Sequence, residues 1–413
     1  MTAAEEWKRN WSIVLAAAFG FSFMSFMSPA MGLFMAPLQE EFGWSRALLS
    51  SGTAIGAAIS LLVSPFFGAL IDRFGSRRLA LVGITATSLS IAAFSTMSGD
   101  RLEWILLWFL FGFTSMTIHA TTWTTAVAGV FERSRGLALG VTLSGSALAS
   151  AIVPPLTNWT IATFGWREAY AGLGIGWGAM ALLLCALFLY DAHDFRRENA
   201  KQADPATVKA ASVADLTGLS IREAWRAGAL WRVGIATLLT LTVTIGVIVH
   251  QVPIVVSAGF TRTDASWLAS LAGIAGIVGK LATGTLIDRF HVRWVGGATL
   301  ASTAIAYPML VEPFSTPMLI VVAMLINGYA AGTKLQLCGY LTARYAGMKH
   351  YGAIFGMMSS LIALAGGLGP ILAGLAFDAN GDYAVFLWAA AAISLISGLL
   401  IFSLGPYPDW EDK

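Results

Sequence analysis

Charge is what this 413-residue chain has least of: 12% of its residues are Asp, Glu, Lys or Arg, against 57% that are hydrophobic. With a mean hydropathy of +0.72, that balance excludes an ordinary soluble domain. The two cysteines, Cys185 and Cys338, both fall in apolar runs, so neither a disulfide framework nor a thiolate metal cluster is indicated. No phosphate-cradling Gly-x-x-x-x-Gly-Lys-Ser/Thr occurs, because Gly279-Lys280 is followed by Leu281, which argues against ATP as the driving force. A nucleophile elbow, a metal cluster and a pair of acids are likewise missing from the apolar runs, which argues against an enzyme and against a cofactor. A net charge of +2 gives no sign of a nucleic-acid partner.

What the chain has instead is length without charge. Runs of about 20 apolar residues, enough to cross roughly 30 Å of hydrocarbon, recur twelve times, over 11–37, 48–71, 78–98, 103–130, 136–160, 168–190, 233–257, 265–287, 294–313, 317–342, 351–377 and 383–405. Lipid leaves no partner for an open backbone, so each is expected to be a helix and the fold class all-α, integral to the bilayer. The first run follows Lys8-Arg9 but is too long for a signal peptide and lacks a small-residue cleavage site, so it reads as a retained span.

The basic residues set the expected topology. With both termini cytoplasmic, 19 of the 25 Lys and Arg fall inside, only Arg46, Arg101, Arg167 and Arg262 fall outside, and Lys280 and Lys334 lie within spans. Residues 191–232 are polar and carry mixed charge, dividing the chain into a six-span half (1–190), a cytoplasmic linker (191–232) and a second six-span half (233–413). Inside the linker, Ser220-Ile221-Arg222-Glu223 has capping-box spacing and predicts a short interfacial helix before span seven.

An internal repeat supports the two halves. Gly68-Ala69-Leu70-Ile71-Asp72-Arg73-Phe74 returns as Gly284-Thr285-Leu286-Ile287-Asp288-Arg289-Phe290, an offset of 216 that also relates Gly136 to Gly352, Gly140 to Gly356 and Pro154 to Pro370. The string Gly68-x-Leu70-x-Asp72-Arg73-x-Gly75-x-Arg77-Arg78 resembles the signature loop of the major facilitator superfamily, across essentially the whole chain. Two further strings, Leu38-Gln39-Glu40-Glu41-Phe42-Gly43-Trp44-Ser45-Arg46 and Phe164-Gly165-Trp166-Arg167, are similar to segments of the monocarboxylate porters and the oxalate/formate antiporters, as are the region from Arg344-Tyr345 to Gly356 and Gly367-x-Gly369-Pro370. The resemblance implies the superfamily's fold, twelve helices in two pseudo-symmetric halves, and a monomer in the plasma (inner) membrane. It also makes Asp72, Arg73, Arg77, Asp288 and Arg289 a gating motif. A carboxylate there can meet a helix N-terminus, and the arginines can bridge acids or lipid phosphates.

Two lysines deep in spans then stand out. Lys280 lies about 16 residues into span eight and Lys334 about 18 into span ten, which at about 1.5 Å per residue puts both slightly to the cytoplasmic side of the midplane. A cation there costs on the order of 3 kcal/mol unless it meets water or an opposite charge. All 23 acids can be placed in loops, tails or span ends, so a visiting carboxylate is the natural partner. A drug or cation exporter would want a buried acid instead.

The resemblance sharpens this reading. Related porters carry a substrate-binding Arg where this chain has Lys280, and an ammonium binds as a point charge rather than a fork. Animal monocarboxylate porters also place an Asp one turn earlier, where this chain has Gly276, and a first-span Lys where it has Ala30. Lys334 falls one residue from the repeat-equivalent of His119, which predicts a site shared by the two halves. His119 and His250 are the candidate proton carriers, and Ser28 and Trp123 are weaker candidates for the wall of the site.

Energetics favour coupling. Importing a dianion against an inside-negative potential costs about 2.3 kcal/mol per charge per 100 mV. Proton symport of a small carboxylate is therefore the expected mode, with carboxylate exchange as the alternative and an anion-binding sensor without flux as the reading from another class.

Overall fold

The computed structural model describes residues 2–131, 133–190, 218–347 and 349–408. Among them, helix is the only extended secondary structure. Span one is two helices, α1 (Ala3–Met24) and α2 (Met27–Phe42), separated at Ser25-Phe26. Spans two and three are α3 (Arg46–Phe74) and α4 (Ser76–Ala93). Span four is broken into α5 (Arg101–Ser115) and α6 (Ala120–Ala128) by a 3₁₀ turn, Met116–Ile118. Span five bends at Ser144 between α7 (Arg135–Leu143) and α8 (Gly145–Phe164), and span six is α9 (Trp166–Phe188). After α10 (Ile221–Arg226) come α11 (Gly228–Ser257), α12 (Arg262–Arg289), α13 (Val292–Ala306), α14 (Pro317–Ala346), α15 (Tyr351–Asn380) and α16 (Ala384–Phe402).

Eleven of these segments are long and apolar enough to cross a membrane. The twelfth, span nine, is expected over 294–313 but its helix is only Val292–Ala306, continued by a 3₁₀ turn at Pro308–Leu310. Its end coincides with Tyr307-Pro308, where the proline lacks the N–H that would continue the helical ladder.

Helix starts follow the local chemistry. Thr2 with Glu5 and Ser220 with Glu223 form capping boxes, and Asp100, Thr261 and Thr316 each accept a backbone N–H of the first turn. The expected interfacial helix is therefore α10, and Leu219 pins its entry to the end of α14 through an N–H donated to Ala346 O at 2.8 Å. Residues 191–217 of the linker lie outside the described part.

By packing, the chain divides into two compact units, Met1–Pro37 with Ile55–Ala210, and Leu38–Ala54 with Ala211–Lys413. The hairpin of residues 38–54, joining the end of α2 to the start of α3, thus groups with the second unit. The reason is local: Asp378 at the end of α15 accepts the backbone N–H groups of Arg46 (2.9 Å) and Ala47 (2.8 Å), capping α3 with a carboxylate at its positive end. Within the second unit α12 and α14 pack backbone to backbone. A Cβ on Gly328 would collide with Ala272 O, and one on Gly332 with Gly276, so small residues let these two helices approach closely.

Candidate functional site

The two lysines stand on α12 and α14. Lys334, on α14, is 2% exposed. Its ammonium donates to Thr244 Oγ1 on α11 at 2.6 Å and, at 3.5 Å, reaches Thr303 Oγ1 on α13. Each threonine has already given its own proton to a backbone carbonyl, Thr244 to Thr240 O and Thr303 to Leu300 O, so both oxygens are free to accept. Tyr307, at the end of α13, donates to Asn327 Oδ1 on α14 at 3.3 Å beside them. An ammonium has three N–H donors. Two are directed at hydroxyls, and among the described residues no carboxylate lies within ion-pair distance.

Lys280, on α12, is half-buried, while its neighbours Val278 and Leu281 are exposed. Gly279 packs on Tyr329 of α14, and Thr283, one turn on, shares a 3.0 Å hydrogen bond with the Tyr329 hydroxyl. Both lysines thus belong to one pair of tightly packed helices. A Cβ at Gly276 would stand 3.2 Å from Gly328 O, so the position where related porters carry an acid is here part of the close approach itself. Ala30, where they carry a lysine, is fully buried.

The remaining sequence candidates fall in different places. His119 is the N-cap of α6, in extended conformation at the break in span four, and its buried Nδ1 has no hydrogen-bond partner among the described residues. Trp123 is completely buried, donates its indole N–H to Ile118 O at 2.7 Å and occupies the space above Gly20, where a Cβ would collide with the ring. That packing gives Trp123 a structural role in the first unit and no open surface to line in this state. Ser28 is half-buried in the first turn of α2.

His250, on α11, sits in a closed network. Its Nδ1 is 2.8 Å from the Tyr383 hydroxyl, and its Nε2 is 3.0 Å from Pro370 O and 2.9 Å from Ser50 Oγ. Arg46 donates to the same Tyr383 oxygen at 2.6 Å and to Gln39 Oε1 at 3.1 Å, with its guanidinium 3.4 Å from the Phe377 ring centre. Sequence reading missed Arg46, Tyr383, Asp378, Thr244 and Thr303. The only signal was Arg46 itself, inside a string already matched to the porters.

In the loop motif, Arg77 donates to Ala186 O at 2.8 Å and lies over the Tyr190 ring, placing a cation at the C-terminal end of α9. Arg73 covers the Phe74 ring and Arg289 is exposed in the last turn of α12. Asp72 and Asp288 belong by backbone to the last turns of α3 and α12, since α3 runs on to Phe74, but their side chains lie outside the described part. The turn that follows departs from the repeat for a physical reason. Gly75 has φ +84, a glycine conformation, whereas its counterpart His291 has φ −62 and caps α13 by accepting Arg293 N–H. Burial, joined by the neighbouring Arg293 and Arg344 charges, holds His291 below the ordinary histidine pKa.

The family model of the Major Facilitator Superfamily matches residues 13–261 and 243–413, which together cover the helices just described. The chain belongs to the major facilitator superfamily. It is a multi-pass membrane transporter, then, and not an enzyme. It is 27% identical over 406 residues to monocarboxylate transporter 13 of Bos taurus, covering 95% of this chain and 88% of that one. It is 28% identical over 411 residues to monocarboxylate transporter 11 of Homo sapiens (95% and 80%). A probable sulfoacetate transporter of Cupriavidus necator is 25% identical over 409 residues (90% and 88%). Among solved structures, the fold is that of the D-xylose-proton symporter, with TM-score 0.75 at 13% identity, 96% of this chain and 98% of that one being covered. The two-half, twelve-helix architecture expected from the repeat is the superfamily's own.

Proposed function

We propose that this transporter carries small organic anions, mono- or dicarboxylates, by alternating access and in symport with protons. The observation that carries the reading is the Lys334 ammonium, enclosed by two threonine oxygens with a third donor unspent and, among the described residues, no carboxylate within ion-pair distance. Burying a cation on neutral partners is costly, and a visiting carboxylate supplies the missing charge. Lys280 on the same helix pair offers a second cation, which suits a dianion. Relatives named for monocarboxylates and for sulfoacetate, itself a carboxylate bearing a sulfonate, support the same chemistry. Because Lys334 is 2% exposed, the helices around it must part before an anion arrives, as alternating access requires. We place both termini in the cytoplasm, on the 19-to-4 distribution of basic residues, and the protein in the plasma (inner) membrane as a monomer, on its resemblance to the porters.

A second reading, exchange of one carboxylate for another, is favoured by Gly276, where the tight approach to Gly328 replaces the acid of proton-coupled relatives. The test of the main reading is thermal stability of the purified protein against mono-, di- and sulfonated carboxylates, with organic cations as controls. A ligand at 100 times its Kd adds about 2.7 kcal/mol. Stabilisation by carboxylates that disappears in Lys334→Met is expected; stabilisation by cations alone would overturn the reading.

A further inference from the structure

We infer that His250 is the binding site of the coupled proton, and that its protonation releases the first turns of α3 from α11, α15 and α16. Its link to transport rests on the proton-coupled reading above. The argument itself is one of donors and acceptors. Pro370 O can only accept, so His250 Nε2 carries a hydrogen, shared with Ser50 Oγ. Arg46 can only donate, so the Tyr383 oxygen accepts from it. The Tyr383 hydroxyl then gives its own proton to His250 Nδ1 at 2.8 Å. Every donor finds an acceptor along Arg46, Tyr383, His250 and Pro370, and the chain closes only with a neutral imidazole.

Adding a proton to Nδ1 breaks that order. Two N–H groups, one from Arg46 and one from His250, would then converge on the Tyr383 oxygen, whose own hydrogen would lose its acceptor. An imidazolium would also face the Arg46 guanidinium in a fully buried site. Of the groups around His250, only Asp378 brings an opposing charge into the network, and it makes no hydrogen bond to the imidazole. From α3 come Arg46 and Ser50, and from the N-cap of α16 comes Tyr383. Asp378 of α15 spends its two oxygens on the N–H groups of Arg46 and Ala47. α12 has Arg262, half-buried and 4.0 Å from Glu40, and the exposed Asp264 in its first turn, and α14 has no titratable residue before Tyr329.

All members of the network belong to one compact unit, and they tie down residues 38–54, which the chain then continues as the rest of α3. Acidification therefore weakens the hold on the start of α3, and deprotonation restores it. In this scheme Arg46, Tyr383 and Ser50 are positioning residues and His250 is the group that takes the proton.

The test reads accessibility without any substrate. Leu49→Cys puts a thiol at a fully buried position of α3 one residue from Ser50, and the native Cys185 and Cys338 are buried. Labelling by a membrane-impermeant maleimide, corrected for the reagent's own pH dependence on the unfolded protein, should quicken as pH falls. For one linked proton the limit is about tenfold per pH unit. In Leu49→Cys/His250→Gln the pH response should vanish, and in Leu49→Cys/Tyr383→Phe labelling should be fast already at high pH. A response unchanged by His250→Gln, or absent in the His250 parent, overturns the proposal. In proteoliposomes, His250→Gln should abolish the stimulation of carboxylate uptake by an acid-outside gradient. A pH-dependent, His250-dependent labelling combined with no carboxylate flux in any variant would leave the proton site standing and refute the transport reading instead.

Discussion

Lys334 and His250 are both buried basic side chains in the same unit, both facing α11 or standing on it, yet their surroundings are built on opposite plans. Around His250 every hydrogen-bonding valence is used: Tyr383 on one nitrogen, Pro370 and Ser50 on the other, with Arg46 filling the tyrosine oxygen. Around Lys334 the partners are two hydroxyls at unequal distance, 2.6 and 3.5 Å, and one donor is left over. A closed network can take up a proton only by breaking one of its own bonds. An open one is incomplete until something negative arrives. The difference separates a lock from a binding site without reference to any relative, because buried polar groups are costly only when unsatisfied.

The sharpest way to break the comparison is to make the Lys334 site poorer still. In Thr244→Val the ammonium loses its short acceptor while the side-chain shape is kept. Hydrogen bonds to charged groups are worth about 1.5–3 kcal/mol, so the ligand-free protein should lose stability of that order in thermal unfolding. Added carboxylate should recover part of the loss, since the anion can replace the missing acceptor. A variant as stable as the parent without ligand would mean that Lys334 is not held as described.

Tyr383→Phe attacks the other side, and the part of its cost that depends on pH should be smaller. It removes one neutral hydroxyl and leaves the ring, which packs on Phe377 with centroids 5.0 Å apart. Loss of its neutral bond to His250 costs about 1 kcal/mol, on top of a pH-independent part from the bond donated by Arg46. The sign with pH follows from the neutral imidazole: the deficit should be full at high pH, where the parent network is intact, and should shrink on acidification as the parent loses the same bond. Thermal unfolding of both proteins across pH measures it. A deficit that grows on acidification would show that His250 is charged in the network.

How far these two sites could be foreseen differs for the same physical reason. The spans, the repeat and the capping box at Ser220 are local patterns of apolarity and spacing, and the helices follow them. Lys334 is legible too, because a cation in an apolar run is conspicuous. The rest of its site is not: Thr244 and Thr303 are two among many span threonines, most of which bond their own helix. The His250 network joins residues as far apart as Arg46 and Asp378, 332 positions along the chain, and no period links them. The break at Met116–Ile118 carries neither Gly nor Pro, so nothing local announces that His119 caps a new helix rather than continuing the old one.

The smallest effect is expected at Thr303, and it tests the inequality on which the Lys334 site depends. Its oxygen is 3.5 Å from the ammonium, at the limit of a hydrogen bond, whereas Thr244 is at 2.6 Å. Thr303→Val keeps the branched shape within α13 and removes an acceptor that contributes little to holding the cation. Unfolding stability should therefore change by no more than about 0.5 kcal/mol, several-fold less than in Thr244→Val. If instead the two valine variants lose the same stability, the ammonium lies midway between the threonines, both hydroxyls are full partners, and the donor assigned to an incoming carboxylate is not spare.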